Sequence, residues 1–256
     1  MLHVNFHIHA ARLVAVLGLI FSLPAQAATP LATGDTGMLV PGGWEFTVFA
    51  ASSGRDTGDE YELPAVEIET GLTENTSISV VAARQVVDKR GHSSNSGWGN
   101  AAVGFKWRVL HDAGRALVFN PSYSTALTKT STRRGLIEDI NILTLPVIAS
   151  YETGAWIFTG ELSYSMTSES LDGLGAGFWT GYQANEDWLL LAEVYGEEFS
   201  GDDDDGGVYN FRLGFEYGVA DSAAILFSVG SRIASDLPRE EKLDSEFFLG
   251  FRWETG

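Results

Sequence analysis

Residues 208–219 read Val-Tyr-Asn-Phe-Arg-Leu-Gly-Phe-Glu-Tyr-Gly-Val, and from residue 209 onward large apolar residues alternate with polar residues or glycine. The apolar positions, which share odd numbers, are Tyr209, Phe211, Leu213, Phe215, Tyr217 and Val219. The even-numbered positions between them hold Asn210, Arg212, Gly214, Glu216 and Gly218. Because successive side chains of a β-strand point to opposite faces, this period of two predicts a strand with one apolar and one polar face.

Eleven further runs show the same alternation, and none of the twelve has the spacing of an amphipathic helix. The predicted strands span 44–52, 63–72, 76–85, 100–109, 116–127, 140–151, 156–167, 174–184, 188–198, 208–219, 223–233 and 245–254. Their connections alternate strictly between long polar loops, such as 53–62, and tight turns, such as 73–75. An even number of strands joined in this way predicts an all-β fold, an up-and-down antiparallel transmembrane β-barrel over 44–256 with both termini periplasmic.

The tryptophans distinguish a membrane barrel from a soluble β-protein, which can also alternate. Trp44, Trp156 and Trp188 open odd-numbered strands, and Trp107 and Trp253 lie near the ends of even-numbered strands. In an up-and-down barrel all five lie at the rim that carries the short turns. Amphipathic rings concentrate at membrane interfaces, so this distribution favours an aromatic girdle. A soluble β-protein, with aromatic residues capping its core, is the alternative fold.

Residues 1–27 have the organisation of a secretory signal peptide. Arg12 precedes a short apolar run from Leu13 to Leu23, and residues 24–27, Pro-Ala-Gln-Ala, supply a cleavage site. The run is shorter than the roughly 20 residues that a transmembrane helix needs. We therefore predict cleavage after Ala27, an N-terminal periplasmic segment over 28–43, and location in the outer membrane of a Gram-negative cell envelope, with membrane lipid as a partner.

The composition excludes several classes of protein. The 256 residues include no cysteine, so disulfide scaffolds, thiolate zinc sites and cysteine nucleophiles are excluded. The formal net charge is −18 and no basic stripe is present, so nucleic acid is not an expected partner. There is no phosphate-binding loop, dinucleotide-binding glycine motif or H-E-x-x-H motif, and we expect no cofactor and no metal centre.

Catalytic residues are scarce as well. Once 1–27 are removed, the remaining histidines are His92, in a long loop, and His111, in a short turn. A Ser-His-acid triad needs a histidine held beside its serine, and no serine motif accompanies either residue. We therefore assign no catalytic residue and do not expect an enzyme, although an outer-membrane hydrolase acting through His92 remains a less favoured alternative.

A run of four acids, Asp202 to Asp205, lies in the loop between the predicted ninth and tenth strands. Four carboxylates can bind divalent cations such as Ca²⁺. Their spacing differs from that of a calcium-binding loop, so a solvated acidic loop tip is the favoured interpretation, and a divalent cation is a minor alternative partner.

The polar faces of the strands predict what lines the barrel. In a membrane barrel the apolar face contacts lipid and the polar face lines the lumen. The charged side chains that this parity assigns to the lumen are Glu45, Glu67, Glu69, Lys106, Arg108, Glu161, Glu193, Arg212, Glu216, Arg232 and Arg252. They either form ion pairs that stiffen the barrel or build a constriction whose transverse field filters solutes. Trp179 has the same parity and would narrow the pore.

Three stretches resemble one known family. They are residues 69–75, Glu-Thr-Gly-Leu-Thr-Glu-Asn; residues 97–108, from Gly-Trp-Gly-Asn to Gly-Phe-Lys-Trp-Arg; and residues 217–221, Tyr-Gly-Val-Ala-Asp. They are similar to the turn and strand motifs of outer-membrane barrels grouped as the MetA-pathway of phenol degradation or aromatic-compound transporter family. Asn100 replaces that family's aspartate, and Trp107 replaces its tyrosine. The resemblance implies passage of small hydrophobic or aromatic compounds, with Lys106 and Arg108 in the lumen.

The sequence thus predicts a porin-like barrel that forms a narrow passive channel for small solutes. A closed structural or adhesive barrel, in which the acidic surface loops bind a partner, is the alternative. An outer-membrane hydrolase is less favoured than either.

Overall fold

The computed structural model describes residues 30–55, 57–91, 93–169, 172–201, 205–235 and 243–256. Within these ranges the strands are β1 (Trp44–Arg55), β2 (Gly58–Thr73), β3 (Thr76–Lys89), β4 (Asn95–Asp112), β5 (Arg115–Phe119), β6 (Ser122–Ala126), β7 (Ile142–Thr153), β8 (Trp156–Thr167), β9 (Asp172–Gln183), β10 (Trp188–Ser200), β11 (Asp205–Ala220), β12 (Ala223–Ser235) and β13 (Leu243–Thr255). One short helix, α1 (Lys129–Arg133), follows β6. The predicted signal peptide, His92 and residues 202–204 of the acidic run lie outside the described residues.

The strands close into a single antiparallel barrel. Apart from β5 and β6, each strand pairs with the strands that precede and follow it in the chain, and β1 also pairs with β13, beginning with Trp44 opposite Thr255. β5 and β6 are two halves of one strand, because both lie between β4 and β7 and only Asn120 and Pro121 separate them. Proline has no backbone N–H to donate, which explains the break. Counted in this way, the described barrel has twelve strands, and the predicted fold class is confirmed.

Several strands are longer than the alternation predicts. β2 begins at Gly58 rather than at 63, and β4 begins at Asn95 rather than at 100. Both strands contain an extra residue where the register shifts. Such a β-bulge reverses which parity faces the lumen, so a search for unbroken alternation stops there.

In β2 the shift lies between Glu62 and Ala65. On the N-terminal side of Pro64, Tyr61 and Leu63 lie on the outer surface of the barrel, where they are 37% and 54% exposed. Glu60 and Glu62 alternate with them, so both carboxylates face the lumen. The predicted loop 53–62 is therefore mostly barrel wall.

The outer surface of the barrel is apolar and ends in an aromatic rim. Leu213, on β11, is 53% exposed although it is a large apolar residue. Four tryptophans at the short-turn end are between 44% and 48% exposed, namely Trp44, Trp107, Trp156 and Trp253. Ring pairs strengthen this rim, with centroids 4.8 Å apart for Trp156 and Tyr182 and 4.6 Å apart for Trp188 and Tyr217. This surface matches the lipid-facing belt of a membrane barrel.

No helix within the described residues is both long enough and apolar enough to cross a membrane.

Residues 30–43, the described part of the segment predicted as periplasmic, lie partly inside the barrel. Gly42 is at the short-turn rim, where its N–H donates to the carbonyl of Gly71 over 2.8 Å. Nine residues earlier, the backbone nitrogen of Thr33 is 2.6 Å from Glu193, on the interior face of β10. A segment with no strand neighbour needs other acceptors for its N–H groups, and the interior carboxylates supply them.

Candidate functional site in the barrel lumen

The lumen is occupied by residues 30–39, which we call the inner segment. From the short-turn rim it enters the barrel past β7, where the hydroxyl oxygens of Thr36 and Ser150 are 2.6 Å apart. It reaches the middle of β12, where Ser228 donates a hydrogen bond to the carbonyl of Pro30. The segment therefore fills part of the barrel from the short-turn end to about half its height.

Two carboxylates hold the backbone of the inner segment. Glu193, on β10, accepts hydrogen bonds from the N–H groups of Ala32, at 3.0 Å, and Thr33, at 2.6 Å. Glu161, on β8, accepts one from the N–H of Gly34 at 2.8 Å. Hydrogen bonds to ionised acceptors are stronger than those between neutral groups, so these three contacts fix the path of the segment.

Arg212 fixes Glu193 in turn. Its Nη1 atom lies 3.2 Å from Glu193 Oε2, while its Nε and Nη2 atoms lie 2.7 and 2.8 Å from the two carboxylate oxygens of Glu246. The guanidinium thus links β10 to β13 and supplies positive charge beside a buried carboxylate. A bidentate pair of this kind fixes orientation as well as distance.

The inner segment also has an apolar anchor. Leu31 is buried with Trp179 and Leu191, and Ile157 and Leu189 pack against the same cluster. The indole Nε1 of Trp179 donates to the carbonyl of Gly34 over 3.1 Å. Trp179 therefore lies in the lumen, as its parity predicts, and contacts the segment with both its ring and its polar atom.

Gly177, on β9, provides the space that the segment needs. A Cβ atom at this position would lie 2.0 Å from Thr33 Oγ1 and 2.9 Å from Tyr195 Cδ2. No side chain fits there without displacing the segment or the strand, so the glycine is required by close approach.

A second group of charges surrounds Lys106, near the short-turn end. Its Nζ atom lies 3.4 Å from Asp35 of the inner segment and 3.7 Å from Glu69 on β2. It also donates to the carbonyl of Gly37 at 3.3 Å. Lys106 therefore links the wall to the segment by charge, on the side of the barrel that Glu193 does not reach.

Arg252, on β13, forms ion pairs with three carboxylates. Its Nη2 atom lies 2.7 Å from Glu216, and its Nε atom lies 3.5 Å from Glu254 and 3.9 Å from Glu45. One guanidinium thus faces three carboxyl groups, so acidic side chains outnumber basic ones in this part of the lumen.

Most of the charged residues assigned to the lumen by parity lie inside the barrel. These are Glu45, Glu67, Glu69, Lys106, Glu161, Glu193, Arg212, Glu216 and Arg252. Two lie at its ends instead. Arg108 donates to the carbonyl of Glu74 at 2.7 Å, in the turn between β2 and β3, and Arg232 is 3.4 Å from Asp244 towards the long-loop end.

Other interior acids escaped the sequence pattern. Glu60 and Glu62 lie beyond the bulge in β2, so their parity is opposite to that of Glu67 and Glu69. Asp35 precedes the first strand and belongs to no alternating run. The signal that could have located Glu60 and Glu62 is Pro64, because proline inside a strand is typical of a bulge.

Cavities lie on both sides of the inner segment. The inner cavity, of about 290 Å³ towards the short turns, is lined by Asp35, Glu69 and Trp179 among other residues. The outer cavity, of about 70 Å³ towards the long loops, is lined by Glu62 and Phe248 among others. Leu31 lines both cavities, so the segment separates them. A rim cavity of about 540 Å³, at the short-turn end, shares Glu216 and Arg252 with the inner cavity and therefore adjoins it.

The loop between β6 and β7 covers part of the barrel at its long-loop end. Leu136 and Ile140 are buried, and Arg134 donates hydrogen bonds to Asn95 and Ser96 on β4. In the same loop, burial and the nearby charge of Glu169 raise the pKa of Glu138 from 4.5 to about 8. This loop narrows the long-loop mouth.

His111 is exposed near the short-turn end of β4, and no hydrogen bond to its side chain occurs among the contacts of the described residues. The described part of the chain thus gives it no serine or carboxylate partner of the kind that a triad requires.

No family model and no curated protein matches the sequence. Solved structures do match. A COG4313 outer membrane channel from Pseudomonas putida F1 is 13% identical with a TM-score of 0.66, over 87% of this chain and 99% of that one. The NanC porin is 8% identical with a TM-score of 0.61, over 81% and 98%. The KdgM porin in complex with disordered oligogalacturonate is 10% identical with a TM-score of 0.53, over 81% and 98%. The chain has the fold of outer-membrane channel barrels.

Proposed function

We propose that the protein is a narrow passive channel for small solutes in the outer membrane of a Gram-negative cell. The observation that carries this proposal is the series of cavities along the barrel axis, one on each side of the inner segment. Internal space lined by charged side chains, within a wall whose outer surface is apolar, is what a solute path requires.

The interior charges would act as the filter of this channel. Those with a lumenal position are Glu45, Glu67, Glu69, Lys106, Glu161, Glu193, Arg212, Glu216 and Arg252. Arg108 and Arg232, at the two ends, would act on solutes as they enter or leave.

The inner segment limits the width of the path. A barrel of twelve strands is already intermediate between filled small barrels and wide porins. Since Leu31 separates the two main cavities, passage through the barrel requires the inner segment to shift. The channel is therefore expected to conduct weakly until the segment moves.

Small hydrophobic or aromatic compounds are the proposed solutes. The cluster of Leu31, Trp179 and Leu191 gives the lumen an apolar patch, whereas barrel lumens are usually polar. The motifs at 69–75 and 97–108 support a relationship to the aromatic-compound transporter family.

A closed structural barrel is the second candidate, and the firm attachment of the inner segment favours it. Glu193 and Glu161 hold three consecutive backbone N–H groups, and Leu31 is buried. If the segment never moves, the same geometry describes a plugged barrel.

Planar-bilayer recording separates the two candidates. The refolded chain 28–256 is compared with a variant that lacks 28–37, and gel migration with and without heating confirms that each barrel is folded. We expect small discrete conductance steps for the chain 28–256 and clearly larger steps for the variant that lacks 28–37. A folded full-length chain that stays silent, beside a conducting deletion variant, would support the plugged barrel.

A further inference from the structure

The inner cavity has two chemically different walls. Trp179, Leu189 and Leu191 form an apolar wall on β9 and β10. Glu45 and Glu69 belong to β1 and β2. In a ring of twelve strands β2 is six strands away from β9, so the acidic wall and the indole face each other across the lumen.

Carboxyl groups outnumber basic groups on the walls of this cavity. Among the described residues that line it are six carboxylates, those of Asp35, Glu45, Glu69, Glu152, Glu216 and Glu254. The basic residues that line it are Lys106 and Arg252, and each is already shared between two or three of these acids. Burial of charge is costly unless partners are present, so the cavity favours an additional cation.

One buried polar group on the wall of this cavity lacks a partner. Thr159 lines the cavity, is 1% exposed, and its hydroxyl makes no hydrogen bond within the described residues. Buried polar groups are normally satisfied, so an unpartnered hydroxyl on a cavity wall points to a ligand that carries a polar group.

The size of the cavity limits that ligand. About 290 Å³ lies at the lower end of the range for small-molecule sites, which suits a compound with a single ring. The face of an indole attracts cations as well as apolar groups, so Trp179 suits a ring that carries a positive charge nearby.

We infer that the inner cavity binds amphipathic organic cations, that is, protonated amines attached to a small apolar or aromatic body. The ammonium group lies beside Glu45 and Glu69, and the apolar body lies against Trp179 and Leu191. The inference rests on the proposed channel function, since it names the class of solute that the path selects. Anionic compounds of the same shape are rejected by the same carboxylates.

Binding is tested by isothermal titration calorimetry on the refolded chain in a zwitterionic detergent at neutral pH. Phenethylammonium and phenylacetate serve as probes, because both carry one ring and one charge but of opposite sign. We expect phenethylammonium to bind at least about tenfold more tightly than phenylacetate. Glu45→Gln, on the cavity wall, is expected to weaken phenethylammonium binding about tenfold, because it removes a charge-assisted contact without changing shape.

Glu74→Gln, in the turn between β2 and β3, is the matched control and should leave binding unchanged. Equal binding of both probes, stronger binding of phenylacetate, or no binding of phenethylammonium to the folded barrel would overturn the inference. Bilayer recording is scored separately. If the chain conducts but does not bind the amine, the channel function is supported and the amine site is overturned. If it binds the amine but does not conduct, the amine site is supported and the channel function is overturned.

Discussion

The carboxylate of Glu193 lies 2.6 Å from the backbone nitrogen of Thr33, although 160 residues separate the two in the chain. Glu193 belongs to the barrel wall and Thr33 to the inner segment, so this hydrogen bond joins the wall to the chain that fills the lumen. The second oxygen of Glu193 lies 3.0 Å from the nitrogen of Ala32. One side chain thus holds two consecutive peptide groups, and the position of the segment depends on its charge.

Glu193→Gln is expected to loosen the inner segment. Glutamine offers one acceptor oxygen instead of two, and the loss of a charge-assisted hydrogen bond costs about 1.5–3 kcal/mol. The chain contains no cysteine, so Thr33→Cys supplies a single thiol in the segment. Labelling of this thiol by a water-soluble maleimide should become about tenfold faster in the Glu193→Gln background.

Glu186→Gln, in the exposed turn between β9 and β10, is the control for this comparison. Equal labelling rates in the Glu193 and Glu186 variants would mean that Glu193 does not hold the segment.

Gly177→Ala is expected to push the segment out of its position. The added Cβ atom would lie 2.0 Å from Thr33 Oγ1, which no adjustment of a few tenths of an ångström relieves. Conductance in planar bilayers should rise, because the segment no longer fills the lumen. Thr33→Ala in the same chain removes the closest of the colliding atoms and should lower the conductance again, at least in part. A double variant that conducts like Gly177→Ala alone would argue against this collision as the cause.

Lys106→Gln is expected to increase the preference of the channel for cations. Lys106 is buried beside Asp35 and Glu69, and its removal leaves both carboxylates without this positive charge. Arg108→Gln is the matched comparison, because that guanidinium lies at the rim and contacts the turn carbonyl of Glu74. Reversal potentials under a salt gradient should shift clearly for Lys106→Gln and little for Arg108→Gln. The opposite order would contradict the assignment of Lys106 to the ion path.

The loop between β6 and β7 is expected to be held more firmly at low pH than at high pH. In the folded protein the pKa of Glu138 is raised from 4.5 to about 8, so the folded state binds more protons between these values than the unfolded state does. The contribution of Glu138 to the packing of the loop is therefore fully present below about pH 4.5 and is lost as the pH rises through about 8.

Proteolysis of the folded barrel at pH 6 and pH 9 measures this effect. Cleavage within 127–141 should increase at pH 9 in the unchanged chain, and Glu138→Gln should abolish the difference. If Glu138→Gln retains the same pH dependence, another group is responsible.

The fold could be predicted because its physical cause is periodic. A wall between lipid and a polar interior requires alternation in every strand, and runs such as 209–219 display it without interruption. The tryptophans of the short-turn rim are set by the same membrane interface. Where a bulge adds one residue, as between Glu62 and Ala65, the period breaks and the prediction loses Glu60 and Glu62.

The inner segment could not be predicted in the same way. Most of its residues are small, no apolar and polar residues alternate along it, and Asp35 has no periodic neighbours that would assign it to a face. Its position results from contacts with distant strands, such as the one between Gly34 and Glu161. The parity of their strand positions assigned Glu161 and Glu193 to the interior but could not show that backbone N–H groups are their partners.

The long-range contacts of the inner segment also dictate an order of assembly. Ala32 and Gly34 are held by carboxylates that follow them in the chain by 161 and 127 residues. Contacts of such separation form only after much of the chain has been ordered. Residues 30–39, the first that the structure describes, are therefore expected to take up their position late in folding. Until β8 and β10 have joined the barrel, the carboxylates that hold this segment are not in place.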